Sequence, residues 1–187
     1  MPTDSLLHLT KECHHALELL AQAITKYTPD CVSKISECHR KSSSTLADLH
    51  AGLFSAFLPP LPRSHSAALG EAIYAVTDAI FRAALLLPLH AGNDSRAGEL
   101  EALLGMSRRL CDTAATLPRY VKGKPPMPPD TYRFYAEQNK ARASHALTVR
   151  HAERTLTERA LDESLCVVAA RLGEAHRALI CLMLESV

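Results

Sequence analysis

Ten histidines and six cysteines are the residues best suited to chemistry in this chain of 187 residues. His14 and His15 are adjacent, so on a helix they project about 100° apart and do not comfortably face one ion together. His145 and His151 differ by six positions and share no helix face. No H-E-x-x-H spacing occurs. The cysteines, Cys13, Cys31, Cys38, Cys111, Cys166 and Cys181, include no C-x-x-C pair. Most fall at apolar helix positions, where cysteine packs as a small hydrophobe, so free thiols are expected rather than a disulfide framework. The histidines read as surface groups, a few of them partly buried.

Signatures of catalysis are absent. The chain has no G-x-x-x-x-G-K-[ST], no G-x-G-x-x-G and no G-x-S-x-G, and nothing positions a serine, histidine and aspartate as a nucleophile with its base. Arg150, Arg154 and Arg159 surround one turn, as a helix-turn-helix would need, but Glu153, Glu158, Asp162 and Glu163 neutralise that patch. The formal net charge of +1 gives no general attraction to nucleic acid or to an anionic membrane. Ala79 to Leu89, the longest nearly apolar run, is interrupted by Arg82 and Pro88 and falls short of the roughly 20 residues that span a bilayer. Asp4, Lys11 and Glu12 make the N-terminus unlike a signal peptide. The expectation is a cytoplasmic, non-enzymatic protein with no nucleic-acid partner and no membrane span.

The elements that must position these residues are helices. The stretch from Ile35 to Leu87 repeats apolar residues at three- and four-residue spacing on two flanks. On the first these are Ile35, Cys38, Leu46, Leu49, Leu53 and Phe57; on the second, Leu69, Ile73, Val76, Ile80 and Ala84. Between them Pro59, Pro60 and Pro62 force a stiff corner, which makes a helical hairpin. A helix from about Asp4 to Tyr27 precedes it, with Leu6, Leu9, Cys13, Leu17, Leu20 and Ile24 on one face. Pro29 ends that helix, and Asp30 is a good N-cap for the next, from about Cys31 to Phe57. The third runs from about Ser64 to Leu87, and a fourth from about Ser95 to Leu117, capped by Asp94 or Ser95. A proline-rich crossover at 118–130 leads to helices at about Thr131 to Leu156 and Glu158 to Glu185, with Thr155 and Thr157 supplying hydroxyl caps. This is one all-α domain over residues 1–187, in halves of about 1–90 and 91–187 that look like weak copies of each other.

At the hairpin turn, F-L-P-P-L-P-R-S-H followed by A-L-G-E-A-I-Y-A-V-T-D-A-I resembles the PhoU-related DUF47 proteins, described as phosphate transport regulators. Phe57, Pro60, Arg63, Leu69, Ala72, Asp78, Ile80, Ala83 and Ala84 fall on matching positions of the family's pattern without a gap. The resemblance covers about Ile35 to Leu87 closely and the rest by helix layout. It implies a PhoU-like six-helix antiparallel bundle of two three-helix repeats, often encoded beside a Pit-type phosphate transporter and modulating it. It also implies metal clusters, held by Glu and Asp four residues apart on one helix face, where two carboxylates can share or bridge hard cations.

Carried onto this chain, the first acidic pair lands on His39 and Ser43 and the second on Tyr74 and Asp78, so three of four positions lack a carboxylate. The second-half equivalents, around Asn139 to Ala143 and Gly173 to Arg177, offer no Glu/Asp pair. A multinuclear carboxylate cluster is therefore not expected. Two remnants stand in its place. His39 and Asp78, with Glu37, Glu71 and His65 in the same region, could hold one divalent transition metal. The mid-helix run Lys41-Ser42-Ser43-Ser44-Thr45 could mark an anion site of Arg40, Lys41 and Ser43, or simply let helices approach closely. The leading expectation is a regulatory or accessory protein linked to inorganic phosphate transport. It would act by docking on a Pit-type transporter or on another copy of itself, the alternatives being a metal-binding bundle with an altered ligand set and a small-anion sensor.

Overall fold

A computed structural model describes residues 2–57, 61–89, 96–122, 131–150 and 155–186, without the side chains of 121, 131–133 and 146–150. Helices α1 (Pro2–Thr25), α2 (Pro29–Ser55) and α3 (Arg63–Ala84) come first, and a 3-10 turn, Leu87–Leu89, follows α3. Then come α4 (Ala97–Ala114), the short α5 (Leu117–Val121), α6 (Thr131–Arg150) and α7 (Leu156–Leu184). The fold is an all-α helical bundle, with no strand among the described residues.

Each long helix forms because one stripe of its surface is apolar. On α1, all six of Leu6, Leu9, Cys13, Leu17, Leu20 and Ile24 are buried; on α3, so are Leu69, Ile73, Val76, Ile80 and Ala84. Each full-sized aliphatic side chain removed from water in this way contributes about 1.5–3 kcal/mol. α1 packs on α2, α3 and α4, α3 on α7, and α4 on α6 and α7. One apolar core therefore runs from Leu6 to Met183 and joins the two halves through α3 and α7. The span Arg63–Leu89 is long and apolar enough to cross a bilayer by length and composition, unlike the shorter run counted from the sequence. Its apolar stripe instead packs against α1, α2 and α7.

The helix termini depart from expectation in local ways. Asp30 lies inside the first turn of α2 and pairs with Lys34 at 2.7 Å, while Thr28 takes the N-cap position and Pro29 the first helical one. Proline suits that position because its missing N–H would have no intrahelical partner there. Leu117 and Pro118 open the α5 turn, so the crossover begins in helix; residues 123–130 of it lie outside the described residues. Arg96, not Asp94 or Ser95, occupies the N-cap of α4, and residues 90–95 are likewise outside the description. Thr155 caps α7 as expected. Its hydroxyl accepts from the Glu158 N–H at 3.3 Å while the Glu158 carboxylate accepts from the Thr155 N–H at 2.8 Å. Phe57 is the clear failure of periodicity: α2 ends at Ser55, so Phe57 leaves the helical stripe and stands 92% exposed.

Candidate functional site

The α2–α3 hairpin does bring His39 and Asp78 together. His39 Nε2 lies 3.3 Å from Asp78 Oδ1 and 3.1 Å from the Tyr74 hydroxyl, and its ring stacks on Phe81 with centroids 4.8 Å apart. Arg82, one turn along α3, donates from Nε toward Asp78 Oδ2 at 2.8 Å. A guanidinium on the carboxylate and a phenol on the imidazole nitrogen leave this pair already partnered. The other expected donors are elsewhere. Glu37 pairs with Arg40, Glu71 lies 3.6 Å from His50, and His65 is next to Ser64. Among the described residues no third carboxylate, thiol or imidazole joins His39 and Asp78. The multinuclear cluster implied by the resemblance does not fit here.

Of the expected anion residues, the two basic ones face a carboxylate. Arg40 donates twice to Glu37, at 2.9 and 2.8 Å, and Lys41 lies 3.9 Å from the same carboxylate. Ser43 is exposed, whereas Ser42 is fully buried with its hydroxyl unpartnered. A small side chain turned into the core at this point leaves room for a neighbouring helix. At Gly70 on α3 the closeness is explicit, since a Cβ there would stand 2.5 Å from Leu49 Cδ2 of α2.

At the tip of the hairpin, Arg63 ties the end of α2 to the start of α3 by donating to the carbonyls of Ala56 and Phe57. Phe54 and Phe57 project beside it, 93% and 92% exposed. His50, Leu53, Phe54, Arg63, Ala67 and Glu71 line a shallow groove of about 330 Å³ there. Phe54 and Phe57, three positions apart in the chain, leave two large apolar side chains available for contact.

A buried polar arrangement lies in the other half, between α4, α6 and α7. Arg96 donates from Nε to Asp162 Oδ1 at 2.7 Å, both side chains almost wholly buried. One turn on, Glu99 is 3% exposed, with Oε1 lying 3.3 Å from His145 Nδ1. The contact lacks hydrogen-bond alignment, and Glu99 Oε2 and His145 Nδ1 both remain without a hydrogen-bond partner. Donor atoms of Glu99, His145 and Cys166 all fall within 4.8 Å of one another. Burial pushes the Glu99 carboxyl above its ordinary value, His145 pulls it back and Asp162 adds to the rise. Burial, then the Glu99 and Asp162 charges, push the Cys166 thiol up as well. Further along the same seam, the ring of His176 stacks on Phe134 with centroids 3.7 Å apart and planes 6° apart.

The sequence reading missed this seam. Glu99, His145 and Cys166 sit on three helices with no local spacing in common, and the interruption of apolar periodicity at Glu99 on α4 was the one available sign. The six cysteines are free thiols, as expected, and His14 turns to Ser107 at 2.7 Å and Glu18 at 3.4 Å. The basic turn falls partly outside the described residues, since Arg154 and the Arg150 side chain are not among them. No family model matches the chain, and no curated protein matches it.

Proposed function

We propose that this chain is a non-enzymatic regulatory or accessory protein of PhoU-like type, built as two three-helix repeats and acting in the cytoplasm. It docks through the α2–α3 tip onto an inorganic phosphate transporter of the Pit type. The observation that carries the reading is the pair Phe54 and Phe57, both more than nine-tenths exposed beside Arg63, which ties the end of α2 to the start of α3. Interfaces concentrate aromatic and arginine side chains at their centres, and burying two phenylalanines supplies about 1.5–3 kcal/mol each. The tip is also the stretch that carries the resemblance to the phosphate regulators, which links the docking surface to a transport partner.

Co-purification of the full chain with a Pit-type transporter, together with phosphate uptake in cells with and without the chain, tests this. Wild type should co-purify and alter uptake, and Phe54→Asp/Phe57→Asp should do neither while keeping its helicity. Uptake unchanged by removing the chain, with no association, overturns the reading. Concentration-dependent self-association lost in the double variant would instead make the tip a contact between copies of this chain.

A further inference from the structure

We propose that Glu99, His145 and Cys166 form a site for one divalent metal ion of the zinc class, clamping α4, α6 and α7 together. This is independent of the docking reading, which concerns the opposite half of the chain.

Geometry comes first. The three donor atoms lie within 4.8 Å of one another and come from three different helices. A tetrahedral zinc centre, with bonds of about 2.0–2.3 Å, spaces its ligand atoms about 3.3–3.8 Å apart. Closing the difference takes about 1 Å of side-chain movement, well within a rotamer adjustment.

Second, one buried donor atom has no partner. Glu99 Oε2 is buried on a side chain that is 3% exposed, and it has no hydrogen-bond partner. Buried polar atoms are nearly always satisfied, so Glu99 Oε2 calls for a partner that the 3.3 Å contact between Glu99 Oε1 and His145 Nδ1 does not supply. A bound cation supplies it. The neighbouring Arg96 is engaged by Asp162 at 2.7 Å, so the adjacent positive charge is already compensated.

Third, the donor set selects the ion. A thiol, an imidazole and a carboxylate suit a borderline-soft dication, whereas magnesium and calcium favour all-oxygen shells. On binding, the Cys166 S–H bond breaks, its proton leaves to solvent and a metal–sulfur bond forms, with no change of oxidation state. The Cys166 thiolate and the Glu99 carboxylate then balance the two positive charges. Water completes the fourth position, reaching the site from the side where His145 is 23% exposed. The His39–Asp78 pair, by contrast, offers two donors already engaged by Tyr74 and Arg82.

The test is a titration of the reduced, chelator-treated full-length chain with cobalt(II) and then zinc(II), with helicity followed by circular dichroism. The expected result is a thiolate-to-cobalt charge-transfer band that saturates at one ion per chain and is bleached by zinc. Cys166→Ser should abolish the band and weaken zinc binding by more than about tenfold, a loss at least as large as that seen on removing a residue that merely supports a ligand. Cys181→Ser, at an exposed position, should leave both unchanged. Glu99→Gln should keep the band but weaken affinity. A folded wild type without the band, or a band that survives Cys166→Ser, overturns the proposal. If Cys166→Ser fails to fold, the wild-type titration together with Glu99→Gln decides.

Discussion

His176 should make the stability of this protein fall steeply between neutral and mildly acidic pH. Its ring is 1% exposed, stacked flat on Phe134, and its Nδ1 has no hydrogen-bond partner. Burial, and secondarily the Arg177 charge, push its pKa down from 6.5 to about 4. The unfolded chain therefore takes up a proton at this residue over a range in which the folded chain does not. A folded pKa below the unfolded one contributes stability above the unfolded value that is lost as pH falls toward the folded value. The full loss, at about 1.36 kcal/mol per pKa unit, is about 3 kcal/mol. Between about pH 7 and pH 5 the same linkage removes about 2 kcal/mol. Urea denaturation followed by far-UV circular dichroism at those two pH values measures it. The comparison is with His176→Phe, which keeps an aromatic ring against Phe134 but cannot titrate. Subtracting the variant's pH dependence cancels the other ionisable groups, Glu99 among them. If wild type and variant lose stability in parallel, within about 0.5 kcal/mol, then His176 is not held neutral by its surroundings and the reasoning fails.

Arg96→Met leaves Asp162 buried without its guanidinium and should cost about 3–5 kcal/mol, or roughly 6–20 °C in thermal midpoint. Arg96→Met/Asp162→Leu should recover most of that, and a single-variant loss below about 1 kcal/mol would contradict the geometry. Gly70→Ala places a methyl 2.5 Å from Leu49 Cδ2 and 3.1 Å from Leu46 Cδ1. The helix-propensity gain of about 1 kcal/mol should be outweighed by an overpacking cost of about 1–3 kcal/mol, seen as a lower denaturant midpoint. Thr155→Ala removes one arm of the α7 capping box and should lower stability by about 1 kcal/mol in the same assay. Phe57→Asp, at a fully exposed position, should stay within about 0.5 kcal/mol of wild type, which separates a docking role from a packing role.

What the chain declares by itself is its helices. The spacing of Leu6, Leu9, Cys13, Leu17, Leu20 and Ile24, and of Leu69, Ile73, Val76, Ile80 and Ala84, predicts helices whose buried faces are those residues. This is legible because the 3.6-residue period is a local property, written within a few turns of one element. Turn chemistry is legible for the same reason, as at the Pro29 break and the Thr155 hydroxyl cap. Locality also explains the errors. Phe57 continues the apolar stripe on paper, but the helix ends two residues earlier and the corner turns the ring into solvent.

The sites are another matter. His39 and Asp78 could be paired from sequence because one hairpin places them on facing helices, yet whether Tyr74 and Arg82 would occupy them depended on rotamers that no spacing reveals. Glu99, His145 and Cys166 meet only because α4 packs on α6 and both pack on α7. His176 becomes a depressed base because the packing of α6 on α7 buries its ring, with the Arg177 charge adding to the effect. Helix class and buried faces follow from interactions between near neighbours in the chain, which a single sequence displays. Convergence of donors, desolvation and unpaired buried atoms follow from which helices pack together and at what rotation, and only the tertiary structure decides that.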